Sequence, residues 1–89
     1  YKQMARFELE FAASIRKDLI KIHKKEVTKI LSEIQKLAED PRPIASKKLI
    51  NEELYRIRIG NYRVIYEIID ERLIVHVVKV GHRKDVYKN

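Results

Sequence analysis

Eighty-nine residues with 45% hydrophobic side chains, two Gly and two Pro suffice for one compact core and not for two, so residues 1–89 are read as a single domain. The chain has no Cys, which excludes a disulfide framework, a thiolate metal site and a thiol nucleophile, and no apolar run approaches the roughly 18 residues of a membrane span. A soluble, cytoplasmic protein without a targeting segment is expected, and the initial Tyr in place of Met is read as loss of a natural start. The net charge of +7 is uneven: residues 1–40 hold nine Lys/Arg against seven Asp/Glu, or +2, and residues 41–89 hold eleven against six, or +5. The excess in the second half suits a polyanionic partner or, more plainly, solubility.

In chain order, Ala5 to Phe11 alternates apolar and charged residues with period two, the pattern of a half-buried strand. Ser14 is placed to cap a helix that puts Ile15, Leu19 and Ile22 on one face, with Lys and Asp on the other. After a break near His23-Lys24-Lys25, a second helix starts at Glu26. Its apolar positions Val27, Ile30, Leu31, Ile34, Leu37 and Ala38 recur every three or four residues until Asp40-Pro41 stops it. The two make an antiparallel helical hairpin. Pro41 to Asn51 has no clean period and reads as a surface loop carrying Lys47 and Lys48.

Three strands follow, Tyr55 to Ile59, Tyr62 to Ile69 and Leu73 to Val80, rich in Tyr, Ile and Val and separated by Gly60-Asn61 and Asp70-Glu71-Arg72. They form an antiparallel meander. The expected fold is α+β, with an N-terminal strand, a helical hairpin and a three-stranded meander whose one face both helices cover.

The two-residue loop Gly60-Asn61 sets the register beyond it, so Ile59 faces Tyr62 and Arg58 faces Arg63. Tyr55, Ile57, Ile59, Tyr62, Val64, Tyr66 and Ile68 then share the covered face. Arg56, Arg58 and Arg63 start the other face, which continues with Ile65 and Glu67. Opposed guanidinium groups repel by roughly 0.2 to 1 kcal/mol, a cost that a bound anion reverses. A solvated face, with the arginines paired to Glu52, Glu53 or Glu67, is the plainer reading. A second basic segment, Gly81 to Lys88, can fold back beside the first. Arginine forks match phosphate oxygens and a tyrosine ring stacks on a base, which suits single-stranded RNA. This argument does not by itself choose an enzyme over a binder. Arg16, Lys17, Lys21, Lys24, Lys25 and Lys29 read as a solvated helix face, and His76 as a partly buried strand residue. His23 reads as a cation at the C-terminal end of the first helix. No spacing makes a metal site.

The run Leu54 to Tyr66, with Val80 to Tyr87, resembles the RelE branch of the RelE/ParE toxin superfamily, and the N-terminal strand, helical hairpin and Asp40-Pro41 stop are similar to its layout. The resemblance implies a ribosome-dependent endoribonuclease that cuts messenger RNA in the ribosomal A site without cofactor or metal. It also implies silencing by a cognate acidic, RelB-like antitoxin. It places Arg56 and Arg58 at the scissile phosphate and the attacking 2′-hydroxyl, and Arg63 at the transition state. Arg83 falls where the departing 5′-oxygen is protonated, and Tyr87 where the substrate base is stacked or oriented. Lys47, Lys48, His82, Lys84 and Lys88 are the further RNA-binding candidates. Some members carry Lys where this chain has Arg56 and Arg58, and arginine is a poor general base. His82 is the candidate proton acceptor by intrinsic chemistry. Two alternatives accompany this reading: a ParE-like inhibitor of DNA gyrase, and a toxin homologue that only binds its antitoxin.

Overall fold

The structure, a computed structural model, describes residues 6–50 and 52–82. The elements run β1 (Glu8–Phe11), α1 (Ile15–Ile20), α2 (Lys24–Lys36), β2 (Lys47–Lys48), β3 (Tyr55–Ile59), β4 (Tyr62–Ile69) and β5 (Ile74–His82). Strands β3 and β4 coincide with the segments that alternation predicts, and β5 runs two residues further than expected.

The helix termini depart from the sequence reading. His23 does not end the first helix. Its backbone is extended (φ −60°, ψ 140°) and its Nδ1 accepts the Lys25 amide at 3.2 Å, so the ring caps the start of α2. Ser14 holds the N-cap position of α1 but is already helical (φ −71°, ψ −14°) and makes no side-chain cap hydrogen bond. Asp18 does not face open solvent. Strand β1 pairs with Ile74 to Val77, and among the described residues no strand continues beside the next stretch of β5. Asp18 fills the gap, accepting the Val80 amide at 3.1 Å with its other carboxylate oxygen 3.6 Å from Lys79 Nζ.

The sheet order is β1-β5-β4-β3-β2, with β1 parallel to β5 and the other pairs antiparallel. The segment read as a loop contains an edge strand after all, because Lys47 and Lys48 pair with Arg56 and Tyr55. Ile15, Ile30, Ile34 and Leu37 from the helical layer meet Ile57, Ile59, Val64, Tyr66, Val75, Val77 and Val80 from the sheet. Each such side chain contributes about 1.5 to 3 kcal/mol by burial. A bulge keeps β5 in this core: Ile65 lies opposite Lys79 and Tyr66 opposite Val77, so Val78 is the extra residue. The buried positions therefore step from Val75 and Val77 to Val80, and Lys79 turns to the outer face.

A polar clamp holds the segment before β2 against the sheet. The buried Tyr66 hydroxyl donates to the Pro41 carbonyl at 2.7 Å, and burial pushes its phenol up to about 12. Tyr55 stacks on Tyr66 with centroids 5.9 Å apart. Arg42 lies over the Tyr55 ring, donates from Nε to its hydroxyl at 3.1 Å, and grips both oxygens of Asp70 at 2.8 and 3.3 Å. That pairing, first with Asp70 and then with Tyr55, holds the guanidinium above its ordinary pKa and the Asp70 carboxyl below its own.

Candidate RNA-binding face

Gly60 makes the β3–β4 turn possible. It sits at φ +62°, where L side chains are strained, although a Cβ added there would meet nothing within 4 Å. The register beyond it is the expected one, with Ile59 opposite Tyr62 and Arg58 opposite Arg63. On the face away from the helices, one cross-strand row reads Lys47, Arg56, Ile65, Lys79 and the next reads Arg58, Arg63, Gly81. At the far end Glu10, His76 and Glu67 form a separate row, with His76 Nδ1 3.5 Å from Glu10.

Arg58 is exposed, as an outer-face residue should be. Arg56 and Arg63 are only 8% and 7% exposed, and Ile65 beside them only 6%. The Nε of Arg56 is buried without a hydrogen-bond partner. Among the described residues neither Arg56 nor Arg58 forms an ion pair, since Glu53 goes to Lys48 at 3.5 Å and Glu67 lies opposite His76. Arg56 and Arg58 are therefore not neutralised by the described carboxylates of their own face. A guanidinium withdrawn from water with an unused donor costs several kcal/mol unless an anion completes it.

The other candidates divide. Lys47 stands beside Arg56, whereas Lys48 pairs with Tyr55 and so projects toward the opposite side of the sheet. His82 also falls on that opposite side, edge-on to its cross-strand neighbour Tyr62 with centroids 5.7 Å apart. It is not brought together with Arg58 and Arg63. Arg83, Lys84, Tyr87 and Lys88 lie outside the described residues. Sequence reasoning missed Lys79, which the bulge at Val78 turns into the arginine-bearing face, and Gly81, which leaves the β5 side of Arg63 without a side chain. A broken alternation in Val77-Val78-Lys79-Val80 was the signal for both.

Among the described residues no group of three His, Asp or Glu side chains is placed to hold a metal, and no helix is long and apolar enough to cross a membrane.

The profile of the ParE toxins of type II toxin-antitoxin systems matches residues 9–87. The Methanocaldococcus jannaschii protein that carries the name toxin RelE1 is 33% identical over 89 residues, covering 94% of this chain and 98% of that one. The mRNA interferase toxin RelE of Escherichia coli K12 is 38% identical over 48 residues, 52% of this chain and 50% of that one. Among solved structures, the toxin-antitoxin complex RelBE2 of Mycobacterium tuberculosis contains a chain similar to this one. It superposes with a TM-score of 0.81 at 27% identity, over 96% of this chain and 100% of that one. Profile, relatives and fold agree: this chain belongs to the RelE/ParE superfamily, as a RelE-like toxin of a type II toxin-antitoxin system.

Proposed function

We propose that residues 1–89 form a single toxin domain that enters the ribosomal A site and cuts the messenger RNA bound there. The observation that carries this reading is the outer face of β3 and β4. Arg58 and Arg63 oppose each other across the hairpin, Arg56 is buried beside them with an unused donor, and no described carboxylate neutralises Arg56 or Arg58. The reading also draws on the E. coli relative, which is an mRNA interferase by name.

In the reaction the 2′-oxygen attacks the adjacent phosphorus in line. The 2′-oxygen to phosphorus bond forms, the bond to the 5′-oxygen breaks, one proton leaves the 2′-hydroxyl for solvent water and one is delivered to the departing oxygen. Arg58 and Arg63 stabilise the added negative charge at phosphorus, worth several kcal/mol where such groups are preorganised. Arg83 protonates the leaving 5′-oxygen and Tyr87 stacks on the base. Lys84 and Lys88 add attraction for the RNA backbone. The protein supplies no good base among its arginines, and His82 faces the other side of the sheet, so positioning and charge stabilisation carry the rate. The toxin works in the cytoplasm.

An acidic, RelB-like antitoxin holds it silent. Phe11, Ala12, Ile15, Leu19 and Leu31 border an apolar groove of about 410 Å³ suited to an amphipathic partner helix, and Phe11 remains 44% exposed. The structure from M. tuberculosis is likewise of a toxin with its antitoxin.

The test is incubation with programmed ribosomes and mapping of messenger RNA ends by primer extension. Cuts inside the A-site codon support the reading. Intact RNA together with blocked DNA supercoiling favours a ParE-like gyrase inhibitor, the reading that the matching profile keeps in view.

A further inference from the structure

Lys47 and Arg56 are direct neighbours on β2 and β3, one two-residue step along the sheet from the Arg58–Arg63 pair. Strand β2 is two residues long, and one consequence of its pairing is to set the exposed Lys47 beside the buried Arg56. The rest of that row supplies no further free cation. Ile65 is apolar, and Lys79 is drawn 3.6 Å from Asp18 at the far edge. No described carboxylate pairs with Lys47 or Arg56, and the buried Nε of Arg56 has no acceptor. Along a strand, a two-residue step is about 6.6 Å, comparable to the separation of successive phosphates in an extended ribonucleotide chain.

We propose that Lys47 and Arg56 form a second phosphate subsite, which grips the phosphate next to the one cut at Arg58 and Arg63, so that the RNA backbone runs along β3. The proposal rests on the RNA-cleaving reading and assigns Arg56 to binding where the family resemblance gives it a share in the chemistry. An arginine fork makes two parallel contacts to one phosphate while Lys47 adds a movable charge from the edge. A cationic groove that tracks the backbone in this way is indifferent to base identity.

The experiment uses the whole chain on programmed ribosomes, with messages carrying an uncharged methylphosphonate on either the 5′ or the 3′ side of the cut. One of the two neutralised phosphates is expected to slow the wild type about tenfold. Lys47→Gln and Arg56→Gln are expected to act mainly on KM, and neutralised message plus variant is expected to lose no more than either alone. Arg56→Lys should recover part of the loss. Fully additive losses at both positions, or no loss at either, overturn the subsite. Lys47 is exposed, so its variant carries the test if Arg56→Gln does not fold. Binding of messages with a 2′-deoxy nucleotide at the cut separates the two readings. Coupling in binding without any cleavage by the wild type keeps the subsite and overturns the nuclease, whereas cleavage without coupling does the reverse.

Discussion

Two arginines fourteen residues apart in sequence live under opposite conditions. Arg42 is 47% exposed at its side chain, yet it has two oxygens of Asp70, the Tyr55 hydroxyl and the Tyr55 ring as partners. Arg56 is 8% exposed, and its buried Nε has no partner. The first cation is complete within the protein and serves the fold, tying the Pro41 segment to the β4–β5 turn. The second is incomplete, and the fold bears its cost. A conflict of this kind, local and uncompensated, is expected where a ligand supplies the missing partner. The contrast explains why charge count alone misleads: the useful cations are the ones the protein leaves unanswered.

The largest expected effect is on cleavage. Arg63→Ala and Arg83→Ala should each lower cleavage at least about tenfold, and together about a hundredfold, roughly 2.7 kcal/mol of barrier, with the melting temperature little changed. Normal cleavage by both single variants, measured in single-turnover assays on programmed ribosomes, removes the assigned site. Tyr87→Ala should follow, since base stacking on an aromatic ring is worth ~1 to 3 kcal/mol, while Tyr87→Phe keeps most activity. A dead Phe variant would transfer the role from the ring to the hydroxyl.

Arg56→Met tests the contrast itself. Replacing a buried, incompletely partnered cation with an apolar chain of similar reach should raise stability by about 1 kcal/mol or more while lowering cleavage. Chemical denaturation and the cleavage assay must move in opposite directions; a loss of stability would mean that Arg56 has a structural partner after all.

On the answered side the effects are smaller and appear in stability. Tyr66→Phe removes the 2.7 Å bond to Pro41 and should cost about 1 kcal/mol. Because the folded phenol is pushed up to about 12 from an ordinary 10.0, its contribution is complete below pH 10 and is lost as pH rises through the folded value. The Phe variant should lack that alkaline decline in thermal melts. Asp70 has the reverse sign. Arg42 holds its carboxyl below the usual range, so the contribution is present at neutral pH and fades as pH falls through the lowered value. Asp70→Asn should flatten the acid limb without changing cleavage, the smallest effect of the series.

How much of this was legible beforehand depends on the range of the interaction. Arg58 opposite Arg63 was readable because Gly60-Asn61 sets that register within six residues. The helical periodicity from Val27 to Ala38 likewise identified Ile30, Ile34, Leu37 and Ala38, all of them buried. Less readable was Arg56, whose burial depends on what lies around it in three dimensions. His23 was misread for the same reason, and the side of the sheet that His82 takes was not readable either, since a ring's place follows from the group it meets. The first caps α2, and the second rests against Tyr62 on the helix side of the sheet.

Alone, the amino-acid order determined the α+β class, the spans of β3 and β4, the turn between them, and the division of their residues into an apolar and a basic face. Those features follow from side-chain alternation and from a glycine that tolerates φ +62°. Only the tertiary structure decided that β1 runs parallel beside β5, that Lys47–Lys48 adds an edge strand, and that a bulge at Val78 moves Lys79 and Gly81 to the basic face. Each of these depends on hydrogen bonds to a strand distant in sequence, or on the one-residue slip that such pairing absorbs, and local preference carries no record of the partner.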